Sequence, residues 1–433
     1  MSISWQGINL KTTAILLLAL AGSLALVPAL FAATIAVGPT REHKELAAVA
    51  DELRPGDVVE VDGNATYQAV WFKKPGTEGE KITVRGIRRE GKRPVISGGR
   101  NTVELMGDHF VFEGFEVTGG SMRGIFHHAD DVTVRDCVIH DCRSQGLLGA
   151  MEDSGSLLLE YCEFYNCGRG DRSHQIYMDT DVRKHPGAVF RMQHCWVHDG
   201  RGGNNVKSRA GRNEIYYNWI EGPYFHALEL IGADGRAGGV RRDSDVVGNI
   251  VCSGRSSAAR IGHDSRGGGS SGRYRFVNNT FLFTGSKVAF QGFGRLQSIE
   301  MHNNVLYAPG GGEIRVVTEE DAQWTEGHAV VSGTNNWVSA GARIPPGWKG
   351  TIVGNDPRFV DFRRFDLRPA SASPLIRAGV MKTTSPAGAD FPSPLALALF
   401  HPPMRRLEAP GSAQKRPSRG TIDIGAFQSG ASQ

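Results

Sequence analysis

Short strand-like segments recur along the central part of the chain, and each carries a small or polar residue at the same place among apolar neighbours. The residues at this place are Cys137, Cys162, Cys195, Asn218, Asn249, Asn279 and Asn304. Successive members are 23 to 33 residues apart, a second strand-like run precedes each of them, and helical periodicity is almost absent. A repeat of this length, made of strands and turns, predicts a parallel β-helix, in which every coil lies on the previous one at ~4.8 Å.

The asparagines of this series explain how one polar residue can recur inside such a coil. An inward Asn stacks on the Asn of the next coil, donates a hydrogen bond to it and binds the backbone of the turn, so buried polar groups are paired. A β-sandwich or a propeller also contains many short strands, but neither explains an Asn at one phase of the repeat. We therefore predict an all-β fold, a parallel β-helix of about eleven coils between residues 57 and 340.

The first 32 residues differ from the rest of the chain. No charged residue lies between Lys11 and Arg41, and the run from Ala14 to Ala33 is strongly apolar. This pattern predicts a signal peptide over residues 1–32 and export of a secreted or periplasmic protein, with no stable membrane contact after cleavage. The run also approaches the ~20 residues that span a bilayer, so an uncleaved anchor is the alternative.

Beyond this segment the sequence predicts a cap, a solenoid and a tail. Leu46, Val49, Ala50 and Leu53 share one face of a predicted amphipathic helix over residues 43–53, which would cover the first hydrophobic layer of the solenoid. The repeat fades near residue 340, where the chain becomes irregular and rich in proline. The predicted domains are therefore a β-helix with its N-terminal cap over residues 33–340 and an irregular C-terminal segment over residues 341–433 that packs on it.

Charge and cysteine content narrow the functional classes. A net charge of +4 over 433 residues does not indicate a nucleic-acid-binding protein, and no nucleic-acid partner is predicted. The chain has six cysteines but no Cys-x-x-Cys pair, so no metal site is predicted. In an exported protein, Cys142 and Cys167 could form a disulfide between adjacent coils, whereas the cysteines of the repeat are expected to be buried thiols.

Aligning the coils on their first strand predicts which side chains face outward. Apolar residues alternate with a column of outward residues, because the side chains of a strand alternate between its two faces. That column contains Tyr177, Lys207, Glu229, Arg260 and Gln291, and the same face carries Asp179 and Arg209 two residues further along. Positive charge is concentrated here, since nine Lys and Arg residues but only four Asp and Glu residues lie between Arg169 and Arg212. A basic outer face predicts a polyanionic ligand.

An acidic polysaccharide is the polyanion expected for an exported β-helix, and its cleavage by β-elimination sets three chemical requirements. A base takes the C5 proton of a uronic acid, a cation neutralises the adjacent carboxylate, and an acid protonates the leaving oxygen. We predict Lys207 as the base, because its neighbours Arg209 and Arg260 disfavour the ammonium form and can neutralise the carboxylate. The candidates for the acid are Tyr177, His174 and His226. The predicted substrate-binding residues are His174, Asp179, Asn205, His226 and Glu229.

Segments at both ends of the chain resemble those of a known family. The segment Leu53-Arg-Pro-Gly-Asp-Val-Val-Glu-Val and the closing segment Asp423-Ile-Gly-Ala-Phe are similar to pectate-lyase-like right-handed β-helix proteins, in particular to the chondroitinase B and alginate lyase family, polysaccharide lyase family 6. Together with the repeat, the resemblance covers nearly all of the mature chain. It implies a right-handed β-helix and a lyase that acts on an acidic polysaccharide, although β-helices also host other activities.

The resemblance also bears on individual residues. Asn205-Val-Lys207-Ser is similar to the strand that carries the family's lysine base, which implies that role for Lys207. The family's acidic calcium ligands are not matched where this sequence reads Asp199-Gly-Arg-Gly-Gly-Asn-Asn, so we predict no cofactor and leave calcium open. The family's arginine, expected one coil further on, is replaced by Glu229 and Ile231, and its role passes to Arg209 or Arg260.

Other functions are compatible with a similar fold. A non-catalytic protein that binds an acidic exopolysaccharide needs only the basic face. A C5 epimerase removes the same proton and returns it to the opposite face of the sugar, but the Asp-Pro-His-Asp motif of known epimerases is missing here. A hydrolase needs clustered carboxylates, whereas Asp179 and Glu229 lie on different coils among cations. We therefore predict a polysaccharide lyase, with the binding protein and the epimerase as alternatives.

Overall fold

The computed structural model describes residues 32–232, 240–264, 269–292, 296–318, 330–383, 396–417 and 420–430. The predicted signal peptide lies outside the described residues except for its last position. Within the described ranges, no helix combines the length and the apolar character needed to cross a membrane.

Three parallel sheets follow the chain, and each coil contributes one strand to each of them in the order A, B, C. Sheet A contains β1 (Thr34–Val37), β2 (Val58–Asp62), β5 (Ile82–Ile87), β8 (Phe110–Glu113), β11 (Val132–Arg135), β14 (Leu157–Glu160), β17 (Val189–Gln193), β20 (Arg212–Tyr216), β23 (Asp243–Val247), β26 (Arg273–Val277), β29 (Ser298–His302), β32 (Val330–Thr334) and β34 (Trp348–Lys349). Sheet B contains β3 (Thr66–Gln68), β6 (Val95–Ser97), β9 (Glu116–Thr118), β12 (Val138–His140), β15 (Glu163–Tyr165), β18 (Trp196–His198), β21 (Trp219–Ile220), β24 (Ile250–Cys252), β27 (Thr280–Leu282), β30 (Val305–Tyr307), β33 (Trp337–Ser339) and β35 (Ile352–Gly354). Sheet C contains β4 (Val70–Phe72), β7 (Asn101–Leu105), β10 (Arg123–His127), β13 (Leu147–Gly149), β16 (Ile176–Asp179), β19 (Val206–Arg209), β22 (Leu228–Ile231), β25 (Ala259–Gly262), β28 (Val288–Gly292) and β31 (Arg315–Val317).

This arrangement is a parallel β-helix, as the repeat predicts. Eleven strands of sheet A, from β2 to β32, lie between residues 57 and 340, which confirms the predicted number of coils. The inward side chains of all three sheets form one continuous hydrophobic core along the solenoid. A short antiparallel pair, β36 (Phe359–Asp361) and β37 (Asp366–Pro369), follows the last coil and is joined by a 3₁₀ turn over Phe362–Arg364.

The predicted asparagine ladder occupies the two-residue turn between sheets A and B. Each amide nitrogen donates to the amide oxygen of the Asn on the next coil at 2.9–3.0 Å, from Asn218 through Asn304 and one coil further than predicted, to Asn336. Each acceptor oxygen also receives the backbone N–H of the preceding ladder residue at 2.8–2.9 Å. The residue before each ladder position adopts a positive φ, as at Tyr217 (56°) and Asn278 (54°), and this conformation lets the chain turn the corner within two residues.

The ladder makes a direct stability prediction. Replacing Asn249 by Ala is expected to lower the free energy of unfolding by about 3 kcal/mol, because the backbone N–H of Asn218 and the carbonyl of Ile215 lose their buried partner. Urea denaturation followed by far-ultraviolet circular dichroism measures this change. The exposed Asn355→Ala variant is the matched control, and an equal effect in both variants would contradict a structural role for the ladder.

Six cysteines are buried free thiols, and three of them continue the ladder column as predicted. The disulfide considered for Cys142 and Cys167 is not formed in the structure. Instead, the Cys142 thiol is hydrogen-bonded to that of Cys167, which lowers the pKa of Cys142.

The N-terminal helix is shorter than predicted. Helix α1 spans Ala47–Ala50 rather than residues 43–53, although the four apolar residues predicted to form its inner face are all buried. The reason is that His43 pairs with Val37 in a parallel β-bridge, which keeps residues 43–45 out of the helix.

The C-terminal segment covers part of the outer face of sheet B. On this face, β21, β24, β30 and β33 present apolar residues outward, where a solvated strand would carry polar ones. Leu367, Leu375, Ile424 and Phe427 of the C-terminal segment pack against these residues in a second hydrophobic cluster.

Candidate functional site

The register of sheet C assembles the predicted column. Its inward residues belong to the hydrophobic core: Ile176, Val206, Leu228, Ala259 and Phe290. On the other face, the paired residues run in the order Tyr177, Lys207, Glu229, Arg260 and Gln291, each opposite the next in neighbouring strands. The predicted juxtaposition is therefore confirmed, while the chemical roles assigned to these residues stay predictions.

Lys207 lies between two carboxylates. Its Nζ is 3.0 Å from Oε2 of Glu229 and 3.5 Å from Oδ2 of Asp264, and it lies 5.3 Å from the ring centroid of Tyr177. The side chain of Lys207 is 11% exposed, so these contacts are partly shielded from solvent. Sequence reasoning missed Asp264, because it lies in the turn after β25, where the repeat has no fixed position.

Each of the three guanidinium nitrogens of Arg209 donates a hydrogen bond within the protein. Its Nε donates to the Tyr177 hydroxyl at 3.1 Å, and its two terminal nitrogens donate to Asp264 and to the carbonyl of Gly232. Only 2% of the Arg209 side chain is exposed, whereas Arg260 is 27% exposed. Of the two arginines predicted to neutralise a substrate carboxylate, Arg260 is therefore the accessible one.

Glu229 is the central acceptor of the group. It accepts hydrogen bonds from Arg260 Nη1 at 3.1 Å and from Asn204 Nδ2 at 2.6 Å, in addition to its ion pair with Lys207. Burial alone would raise the pKa of Glu229, but the charges of Lys207 and Arg260, together with the hydrogen bond from Lys207, outweigh burial and lower it. Glu229 is thus an ionised, buried carboxylate that holds two cations in place.

The two histidines predicted as acids are uncharged at neutral pH. Burial, together with the charge of Lys207, lowers the pKa of His174 to about 3, and burial with the charge of Arg260 lowers that of His226 to about 4. His174 Nδ1 accepts the backbone N–H of Asn204 at 2.9 Å, and His226 Nδ1 lies 2.9 Å from the Ser257 hydroxyl. These histidines position the turns around the group and have no imidazolium proton to give to a leaving group.

Two other predicted substrate-binding residues are buried. Asn205 is fully buried inside the turn, where its Nδ2 donates to the carbonyl of Glu221 at 2.7 Å and its Oδ1 accepts from Gln175 at 3.1 Å. Asp179 lies opposite Arg209 in the register and accepts the backbone N–H of Thr180 at 2.8 Å. The neighbour of Asn205, Asn204, contacts the charged group instead, and the sequence gives no signal that distinguishes the two.

Cations and carboxylates alternate in this group. Among the described residues, Lys207, Arg209 and Arg260 surround the carboxylates of Glu229 and Asp264. Within the described ranges, no set of three or more His, Cys, Asp and Glu side chains is arranged to hold a metal ion.

Two of the clefts elsewhere on the described surface are bordered by arginines that already have carboxylate partners. A cleft of about 520 Å³ is bordered by Arg93, which pairs with Asp136, and another of about 320 Å³ by Arg405, which pairs with Glu221. We therefore locate the candidate site by charge and geometry, on the outer face of sheet C.

Comparisons with known proteins agree with this fold. The family described as "Right handed beta helix region" matches residues 83–251, and the match supplies the handedness of the coil. The search of curated proteins finds no match.

Solved structures share the architecture at low sequence identity. The crystal structure of pectate lyase Pel9A superposes with a TM-score of 0.57 and 13% identity, over 92% of this chain and 97% of that chain. The complex of XylC with xylose gives a TM-score of 0.51 and 10% identity, over 76% and 87% of the two chains. An alginate lyase from Paenibacillus sp. str. FPU-7 gives 0.43 and 16%, over 62% and 93%. At these identities the likeness concerns the fold, which is a right-handed parallel β-helix.

Proposed function

We propose that this chain is a lyase that cleaves an acidic, uronic-acid-containing polysaccharide by β-elimination. The observation that carries the proposal is the group of Tyr177, Lys207, Arg209 and Arg260 around two buried carboxylates on an outer face of sheet C. The similarity of fold to a pectate lyase supports the same class of reaction.

In this proposal, Arg260 neutralises the substrate carboxylate. Proton removal next to a carboxylate builds up a second negative charge, which a positioned cation must stabilise. Arg260 is partly exposed and is held by Glu229, so it can accept a carboxylate without losing its orientation. Arg209 cannot take this role without giving up its contacts with Asp264 and Gly232.

The surroundings favour Tyr177 over Lys207 as the group that moves the proton. The Nζ of Lys207 is paired with the carboxylates of Glu229 and Asp264, so this nitrogen is already engaged within the protein. Tyr177 instead has a guanidinium nitrogen 3.1 Å from its hydroxyl and the ammonium of Lys207 close to its ring, and both cations can stabilise negative charge on the phenolic oxygen during the reaction. This assignment reverses the roles expected from the sequence, in which Lys207 is the base.

In the proposed elimination, Tyr177 removes one proton from the substrate and returns the same proton to the leaving group. The Tyr177 phenolate takes the C5 proton, the electrons of the C5–H bond form the C4=C5 double bond, and the C4–O bond to the next sugar breaks. The phenol then gives the same proton to the leaving oxygen, which regenerates the phenolate. Lys207 remains an ammonium and stabilises the negative charge throughout.

Incubation of the purified chain with polygalacturonate or alginate tests the activity. We expect ultraviolet absorbance of the unsaturated product to rise in step with new reducing ends, with and without a calcium chelator. Polymer binding without product would indicate the non-catalytic alternative, and exchange of the C5 proton without chain cleavage would indicate an epimerase. Reducing ends without absorbance would contradict elimination and indicate hydrolysis.

Export is part of the same proposal, because an extracellular polysaccharide requires an exported enzyme. The apolar run before Arg41 is the feature that supports it. N-terminal sequencing of the protein recovered from the periplasm or the medium would identify the cleavage site.

A further inference from the structure

The outer face of sheet C continues from Tyr177 toward the N-terminus as a column of large side chains. The register places Tyr177 opposite Leu148, Leu148 opposite Phe126, Phe126 opposite Glu104 and Glu104 opposite Trp71. Trp71 is 53% exposed, and Phe126 and Leu148 are half-buried. Single exposed apolar residues are common on protein surfaces, but four in one column form a patch that indicates binding. We call Trp71, Phe126, Leu148 and Tyr177 the apolar strip.

A row of arginines follows the same coils on one side of the strip. On four successive coils an Arg lies in the turn before a sheet C strand or at the first position of that strand: Arg100, Arg123, Arg143 and Arg172. The hydroxyls of Ser144 and Ser173 are 3.0 Å apart, so the residues before them, Arg143 and Arg172, lie at equivalent places on neighbouring coils. Arg123 pairs with Asn101 in the register, and its backbone N–H donates to the carbonyl of Arg100, so Arg100 and Arg123 lie one position apart on neighbouring coils. These four residues are the arginine row.

The cations of this row have no carboxylate partners. Arg100, Arg143 and Arg172 are exposed, and none of them forms an ion pair within the part of the chain that the structure describes. Arg201 on the next coil, by contrast, pairs with Asp141 at 3.1 Å. Repeated like charges without counter-ions are unfavourable in the free protein and indicate an anionic partner.

Arg123 connects the row to the strip. Its guanidinium carbon lies 4.2 Å from the ring centroid of Phe126, and its Nη1 donates to Asn101 Oδ1 at 3.1 Å. Its buried Nε has no hydrogen-bond partner among the described residues. Burial and the charge of Arg100 lower the pKa of Arg123, and the charge of Glu104 opposes them. The one acidic residue of the column, Glu104, is already held by Asn101 Nδ2 at 2.7 Å.

We propose that the apolar strip and the arginine row form a track for an extended polyuronate chain, with one sugar per coil, that ends at the Lys207 group. The proposal rests on the proposed function for the direction and purpose of the track. The faces of sugar rings pack on Trp71, Phe126 and Tyr177, and their carboxylates pair with the arginines. A coil rise of ~4.8 Å is close to the length of one pyranose in a linked chain, so each coil can place its arginine and its outward side chain beside one sugar.

The length of the track sets the expected mode of action. The strip crosses five neighbouring strands from β4 to β16, a span of roughly 19 Å at ~4.8 Å per coil. A chain that fills it extends by about four sugars to one side of the cleaved bond. The enzyme should therefore act within long chains and discriminate against short oligosaccharides.

The combined variant Trp71→Ala with Phe126→Ala tests the strip, and Arg143→Ala with Arg172→Ala tests the row. We expect each pair to weaken binding of polygalacturonate or alginate about tenfold in affinity electrophoresis, with a shallower salt dependence for the arginine pair. For cleavage, we expect KM to rise about tenfold on polymer and less on trisaccharides, since a trisaccharide at the Lys207 group does not extend as far as Trp71 and contacts fewer of these residues. The exposed Leu399→Ala and Arg364→Ala variants are the matched controls.

The outcomes separate this proposal from the lyase itself. Polymer binding that depends on both pairs of residues, without any product, supports the track and contradicts the proposed function. Cleavage and binding that are unchanged in both variants overturn the track and leave the lyase intact. An equal loss of cleavage on trisaccharides and on polymer also overturns the track, because the substitutions would then have lowered the stability of the whole protein. Binding of single-stranded DNA with the same affinity and the same dependence on the arginines would overturn the polyuronate as the ligand.

Discussion

Replacing Tyr177 by Phe is expected to lower kcat for polyuronate cleavage by about 10²- to 10⁴-fold, because the reaction loses the group that carries the C5 proton to the leaving oxygen. The change removes one oxygen from a half-buried side chain, and Arg209 keeps its contacts with Asp264 and Gly232. We therefore expect KM to change little and the free energy of unfolding to fall by about 1–3 kcal/mol, because the buried Arg209 Nε–H loses its acceptor. Initial rates of ultraviolet absorbance, with denaturation curves of both proteins, measure the effect.

Lys207→Arg and Lys207→Met provide the matched comparison. If Lys207 acts as an ammonium, the Arg variant retains a large part of the activity and the Met variant loses it, since only the charge is required. If Lys207 is the base, both variants are inactive and Tyr177→Phe retains activity. That second pattern would contradict the proposed assignment and restore the one expected from the sequence.

The Glu229→Gln variant is expected to lose about 3–5 kcal/mol of unfolding free energy, because a buried carboxylate that faces two cations is replaced by a neutral amide. The side chain keeps nearly the same volume and its contact with Asn204, so lost packing does not explain the change. Urea denaturation at neutral pH measures the difference. Glu313→Gln is the control, since the exposed pair of Glu313 with Arg343 is worth at most ~1 kcal/mol.

The same variant makes a pH prediction with a definite sign. The pKa of Glu229 is lower in the folded protein than in the unfolded chain, so its contribution is present above the unfolded value and is lost as the pH falls through the folded value. The parent protein and Glu229→Gln should therefore differ at neutral pH and converge in strong acid. A difference that is constant down to the lowest accessible pH would contradict an electrostatic origin.

The repeat could be recognised in the sequence because its pattern of residues is local and periodic. The two-residue turn with its Asn and the alternation of inward and outward side chains recur in every coil, and stacking of identical coils turns a sequence phase into a spatial column. Lys207, Glu229 and Arg260 could therefore be placed side by side without any coordinates. The cap helix was shorter than predicted because a bridge between Val37 and His43 competes with the helix, and amphipathic spacing alone does not detect such competition.

The contacts that determine the chemistry could not be predicted from the repeat. Asp264 and Asn204 lie in turns, whose lengths differ from coil to coil and whose conformations depend on the neighbouring coils. The sequence predicted charges on a face but not their desolvation, which makes His174 and His226 neutral and withdraws Arg209 from solvent.

The sequence by itself determined the coil, its ladder and the order of the outward column, because those follow from the phase of each residue within one repeat. Only the tertiary structure decided which cation stays accessible, which carboxylates hold Lys207 and which histidines lose their protons, because these depend on burial and on distances between turns that are remote in sequence.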